Sequence, residues 1–273
     1  MSKGITSTEG FIRKIYRLTS SPDKVLFYRG HSSRGKYKLE PSLFRTQELI
    51  DSEHLLYREL LAANPSDFSS DASTFDKLVR MQHYSLPTRL LDITSNPLIA
   101  LYFACKSNQD KTGEVIVIKV SESDIKFFDS DTVSCIANLA RLPKNDKKQI
   151  DFLLSKSDFN NSLPISRLLH FIREEKSYFL DKINPDDLKK VICIRSKLSN
   201  SRIISQSGAF LLFGIEGKLV NSGDHGIEIE RIHIKATEKA KISGELDKLN
   251  INESTVFPYI ENSAKYIKKK YDK

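Results

Sequence analysis

The stretch from Met81 to Ala104 limits the fold more than any other part of the chain. Pro87 ends whatever helix precedes it, because proline disfavours helical backbone at the residue before it. Asn96-Pro97 opens a new helix, with Asn as the cap and Pro at the first position. Around these limits His83, Thr88, Arg89, Asp92 and Thr94 crowd one proline-bounded turn. So many hydrogen-bonding groups in a core-like stretch either satisfy one another as a buried polar knot or line a cleft.

At 273 residues the chain can bury one large core or two modest ones. A hydrophobic fraction of 39% with 29% charged residues marks a globular protein and excludes a disordered tail. The net charge of +8 favours an anionic partner such as nucleic acid, a nucleotide or a phosphorylated cofactor. That charge is spread out, apart from the basic run 265–273. The run reads first as the solvated end of a helix and second as a nucleic-acid arm. The longest apolar runs, such as 209–213, are too short to cross a bilayer. The first residues lack the apolar core of a secretory leader. Cys105, Cys135 and Cys193 are widely spaced, without metal-binding spacing, which fits reduced thiols. These features predict a cytoplasmic protein with no membrane partner and no metal, and leave the oligomeric state open.

Periodicity predicts helices over 6–17, 52–63, 74–84 and from Asn96 onward, a mostly helical region from 131 to 185, and helices over 236–249 and 259–270. In the helix 52–63 the apolar stripe is Leu55, Leu56, Leu60 and Leu61. Strands are predicted over 24–29, 113–120, 126–128 and 190–195, after the turn at Gly208, and over 227–235. The proline-bounded stretch before the Asn96 helix reads as turn and loop. The pattern is α+β, with helices packed beside a mixed, largely antiparallel sheet in a single domain, 1–273.

Three stretches together resemble the FRG domain family: Tyr28-Arg29-Gly30, the block Gln82 to Thr94, and Arg202, Ile203, Gln206, Gly208 and Phe210. The name-giving Phe-Arg-Gly appears here with Tyr28 in first place. In the second motif Ser85 replaces a Gly and Ile93 a Trp, which removes one aromatic wall. His31 stands where the family usually has Gln. The resemblance covers roughly 20–215, leaving 216–273 as a strand and helix extension.

The family's three-part layout is similar to that of ADP-ribosyltransferases, and this implies NAD as a substrate cleaved at its nicotinamide–ribose bond. On that analogy Arg29 holds the phosphates, since a guanidinium can fork onto two oxygens. Gly30 lets the backbone approach the ligand. His83 and Arg89 shape the pocket, while Gln206 or Asp92 stabilises charge developing on the ribose. Thr88 and Thr94 belong to the binding set or cap the turn. Arg89 and Asp92, three apart, alternatively form a buried ion pair. RNA or DNA is the expected acceptor, in a toxin or phage-defence setting. The competing readings are a non-catalytic nucleotide or nucleic-acid sensor and a metal-dependent nuclease, the latter disfavoured because Asp92 stands nearly alone.

Overall fold

The computed structural model describes residues 4–18, 23–197, 200–217 and 219–272. Seven strands form one sheet: β1 (Lys24–His31), β2 (Leu90–Thr94), β3 (Gly113–Ser121), β4 (Lys126–Phe127), β5 (Val191–Arg195), β6 (Gly208–Phe213) and β7 (Ile227–Ile234). Their order is β4-β5-β6-β2-β1-β3-β7, and every pairing is antiparallel except β4 with β5. The fold is thus α+β with a mixed sheet, as the periodicity predicts. Strand β7 comes from the extension and pairs with β3 along eight residues.

The helices are α1 (Thr8–Leu18), α2 (Gln47–Ala63), α3 (Thr74–His83), α4 (Pro97–Cys105), α5 (Asp131–Asn138), α6 (Lys144–Lys148), α7 (Lys156–Asn161), α8 (Leu163–Glu175), α9 (Ser201–Ser205), α10 (Lys239–Lys248), α11 (Glu253–Val256) and α12 (Ile260–Tyr271). Strand alternation divides the core. Leu90, Phe210 and Leu212 join α3, α5 and α8 residues in one cluster. Tyr28, Val115 and Val117 join α1, α4 and α10 residues in a second. The opposite strand faces, including Phe27, Leu91, Ile93, Ile116 and Phe213, form a third.

Strand β2 lies in the middle of the sheet, where sequence reading placed a turn. Its five residues are short, and Asp92 and the threonines mask the apolar alternation. The helix expected over 52–63 starts earlier, at Gln47, because the Thr46 side chain caps it by accepting from the Leu49 N–H. Its buried face is Glu53 and Tyr57, and Leu55 of the expected stripe is exposed.

Glu53 is buried because Arg89 is. The guanidinium, 2% exposed, forks onto both Glu53 oxygens at 2.7 and 2.6 Å. It also donates to the carbonyl of Phe213 at 2.8 Å. Lys147 of α6 makes a second ion pair with the same carboxylate. Burial pushes the Glu53 carboxyl up, but the Arg89 and Lys147 charges more than reverse this and bring it from 4.5 to about 2. The expected Arg89–Asp92 pair does not form. Side chains three apart along a strand point to opposite faces, so Asp92 leaves on the side away from Arg89.

Two outcomes follow from this packing. Glu53→Ala leaves two buried cations facing each other and costs about 3–5 kcal/mol of stability, measured by urea unfolding. The Glu53 pKa is depressed in the folded state, so its stabilisation is full above about 4.5 and fades as pH falls toward about 2. The unfolding midpoint of the wild type drops through that window. Ser85 sits at φ 66°, a left-handed conformation that costs a side-chain-bearing residue about 1–2 kcal/mol. Ser85→Gly therefore raises stability by about 1 kcal/mol.

Candidate functional site

The site opens where a ladder gives out. Strands β1 and β3 pair along eight residues, but β1 and β2 meet only at Tyr28 and Thr94. Beyond that bridge the Arg29 side chain replaces the backbone ladder, donating from a terminal nitrogen to the Asp92 carbonyl at 2.5 Å. A cavity of about 190 Å³ lies there, lined by Arg29, Asp92, Arg202, Gln206 and Phe103 among others.

Arg29 is held from behind by a chain of buried groups. Its Nε donates to Nε2 of His31 at 3.2 Å. That nitrogen accepts, so the ring proton sits on Nδ1, which faces Oε1 of Glu114 at 3.2 Å. Arg231 of β7 donates to the same Glu114 oxygen at 2.8 Å. Burial lowers the pKa of His31, against the hydrogen bond that the ring donates to Glu114, and so keeps the ring neutral near pH 7. Burial also lowers the pKa of Arg29; the Asp92 charge opposes this, while Arg45 and Arg202 add to it. The hydrogen bonds of Arg29 among the described residues go to a carbonyl and a neutral ring, not to a carboxylate.

Asp92, half-exposed, points its carboxylate at the cavity. Oδ2 accepts from the Gln82 carboxamide at 3.2 Å and stands 4.0 Å from the Arg202 guanidinium. Arg202 comes from the short helix α9, capped by the Asn200 side chain. Gln206 lines the cavity, and its carboxamide donates to the Val256 carbonyl at 3.1 Å.

The expected site residues thus separate. Arg29, Asp92 and Gln206 converge on the cavity. His83 lies next door, in a narrow passage that also touches Asp92, Arg202 and Gln206. Its Nε2 is 2.7 Å from the Tyr259 hydroxyl. Burial lowers its pKa, helped by the charges of Arg202 and Arg80. Arg89 does not reach the cavity; it is sealed against Glu53. Thr88 bonds the Gln82 carboxamide at 2.5 Å and the Leu90 N–H at 3.2 Å, holding the turn. Thr94 lines the cavity, but its hydroxyl is taken by the Gln206 carbonyl at 2.5 Å and the Asn96 N–H at 2.9 Å. Gly30 also lines it, yet the close approach it permits is to α4: a Cβ there would stand 1.9 Å from the Ala100 carbonyl oxygen. Its glycine serves helix packing in the first place.

Sequence reasoning missed Phe103, Glu114, Phe257 and Tyr259. Phe103 reads as core on an apolar helix, yet it lies edge-on to Phe257 beside the cavity. Glu114 is hidden in the clearest strand of the chain; a charged residue at an interior strand position was the available signal. Phe257 and Tyr259 lie in the extension, 47 and 49 residues beyond the last motif residue, Phe210, and nothing local marks them. Burial raises the thiols of Cys105, Cys135 and Cys193 to about 12, which makes them poor nucleophiles.

Residues 24–113 match the family model of the FRG domain. This span runs from β1 to the start of β3 and carries both Arg29-Gly30 and the Gln82 to Thr94 block, so the chain contains an FRG domain. Comparisons with curated proteins and with solved structures returned no match.

Because Gln in place of His31 can still accept from Arg29 and donate to Glu114, His31→Gln keeps the fold. The His31 pKa is lowered in the folded state, so its neutral form contributes stability above 6.5 that is lost as pH falls below. Melting curves then show the variant gaining on the wild type as pH drops through 6.5. In contrast, Gly30→Ala forces β1 away from α4 and costs roughly 3 kcal/mol or more, since backbone rather than a side-chain tip must move.

Proposed function

We propose that this chain is an NAD-consuming, ADP-ribosyltransferase-like enzyme working at the cavity between β1 and β2. The observation that carries this reading is the charge balance around Arg29. A partly buried guanidinium faces the cavity with only neutral partners, and Arg202 adds a second beside it. Two guanidiniums suit a pyrophosphate, each able to fork onto its oxygens. The cavity, at about 190 Å³, is smaller than the roughly 300–1,000 Å³ that encloses a whole drug-sized ligand. It suits one end of a dinucleotide, with the remainder lying across the surface.

Chemically the step needs little from the protein. The C–N bond between ribose and nicotinamide breaks, and both electrons leave with the nicotinamide, which departs neutral. Positive charge grows on the ribose, and an acceptor oxygen or nitrogen then bonds to it and gives up a proton. Asp92 carries the carboxylate that faces the cavity among the lining residues. It stabilises the ribosyl charge and takes the acceptor proton. Phe103 offers the nicotinamide a ring edge, in place of the aromatic wall that Ile93 lacks.

A sensor that binds a nucleotide without turnover is the second reading, and Gln206 favours it. Where a carboxylate would help most, this chain has a neutral carboxamide already bonded to Val256. Incubation with NAD, alone and with total RNA or DNA, separates the two readings. The enzyme reading expects nicotinamide release that falls roughly 10- to 100-fold in Arg29→Ala and about 100-fold or more in Asp92→Asn, with melting temperatures near the wild type. Saturable NAD binding without release makes the chain a sensor; neither binding nor release rejects the cavity as a nucleotide site.

A further inference from the structure

We propose that the surface running from Tyr84 along α12 binds single-stranded nucleic acid, with one base stacked on Tyr84 and phosphates along the helix. Helix α3 ends at His83, and the left-handed backbone at Ser85 turns the chain sharply away. That turn leaves the Tyr84 ring flat on His83, with centroids 4.9 Å apart and planes 6° from parallel. His83 stacks in turn on Tyr259, at 5.7 Å, and bonds its hydroxyl. Three rings from two distant segments form one pile, and its outermost member, Tyr84, is 62% exposed. A large ring held rigidly at the surface can stack a base with little further loss of side-chain freedom.

The pile sits beside a cavity of about 200 Å³ lined by Asp71, Asp76, Arg80, His83, Tyr84 and Lys197 among others, in which Arg80 pairs with Asp71 and Lys197 with Asp76, so the free cations lie on α12 rather than here. His83 and Asn200 also line the narrow passage, which shares Asp92, Arg202 and Gln206 with the cavity between β1 and β2. A base seated on Tyr84 is therefore linked to the cavity at Arg29 through the residues of this narrow passage.

Helix α12 begins immediately after Tyr259. It carries Lys265, Lys268, Lys269 and Lys270 against one acidic residue, Glu261. Among the described residues none of these lysines takes part in an ion pair. The positive field continues toward the groove. Lys106 lies 4.0 Å over the Phe257 ring, with Arg202 over the same ring at 5.9 Å. Burial lowers the pKa of Lys106; Glu253 opposes this, and the charges of Arg202 and Lys265 add to it. A row of cations ending at an aromatic pile matches a polyanion whose bases are free to unstack. A duplex keeps its bases inside, so the stacking half of the surface selects single strands.

This deepens the enzyme reading, on which the bound strand is the acceptor, but binding itself is measured without NAD. Fluorescence anisotropy with labelled 12-nucleotide RNA and DNA oligomers, as single strands and as duplexes, tests it on the full chain. Single strands bind more tightly than duplexes. Tyr84→Ala weakens single strands about 10-fold, within the range of one lost base stack, while its melting curve stays that of the wild type. Affinity falls with salt at a log–log slope of about −3 for four phosphate contacts. Replacing Lys268, Lys269 and Lys270 together by Gln reduces the slope by about 2. A Tyr84→Ala variant that binds like wild type, duplexes bound as well as single strands, or binding to anionic lipid vesicles without binding to oligomers overturns the proposal. Nicotinamide release is followed in parallel with NAD alone. Lost oligomer binding with intact release sinks this surface only; oligomer binding without any NAD binding or release sinks the enzyme reading only.

Discussion

The buried triad of Arg89, Glu53 and Lys147 holds together the parts on which the site depends. Arg89 precedes β2, Glu53 lies in α2, Lys147 in α6, and the carbonyl that Arg89 also reaches ends β6. A single guanidinium therefore fixes how the central strand pair meets two helices from different parts of the chain. Such a network contributes little net stability compared with apolar packing, because desolvating three charges consumes most of their attraction. It contributes geometry instead. A charge left unpaired there is so costly that β2 has one permitted position, and Asp92, three residues on, emerges on the far face at a fixed place.

The Gln82 to Thr94 motif thereby divides between two tasks. Thr88 and Arg89 build the frame, while Asp92 and His83 face the groove. Gln82 joins the two, since its carboxamide touches Thr88, the Leu90 carbonyl and Asp92. A motif dense in polar groups need not be one site. Here alternation along a short strand sends its members to opposite sides of the sheet, and only half of them meet solvent.

Much of the fold was legible. The cap at Asn96-Pro97, the alternation of β3 and the apolar run of β6 obey local rules, and local rules are what a sequence displays. Strand β2 was not legible, because five residues bearing an Asp and a Thr lack the pattern of a half-buried strand. Reading it as turn led directly to the expected Arg89–Asp92 pair, which turn geometry allows and strand geometry forbids. The buried face of α2 was misread because Leu55 looked like core, whereas that face is set by Glu53, whose partner is 36 residues away. Of the site, Arg29, Asp92 and Gln206 were found through motif resemblance. The relay through His31, Glu114 and Arg231 was not, since it follows from the register of three strands, which no single segment encodes.

That relay explains why the site stays positive. An arginine enclosed by protein normally takes a carboxylate, and Glu114 is the carboxylate at the far end of this chain of bonds. His31 stands between them. With its proton on Nδ1 it spends the carboxylate's nearer oxygen on a neutral ring, and Arg231 shares that same oxygen. Arg29 is left with the lone pair of Nε2 and a backbone carbonyl, which orient the guanidinium without neutralising it. The cost of an incompletely compensated cation is met by the surrounding fold, and on the proposed reading it is recovered when an anionic substrate enters the cavity. Structural ion pairs in this protein, such as Arg89 with Glu53, are closed; Arg29 is held by a neutral histidine, which in turn bonds the carboxylate of Glu114.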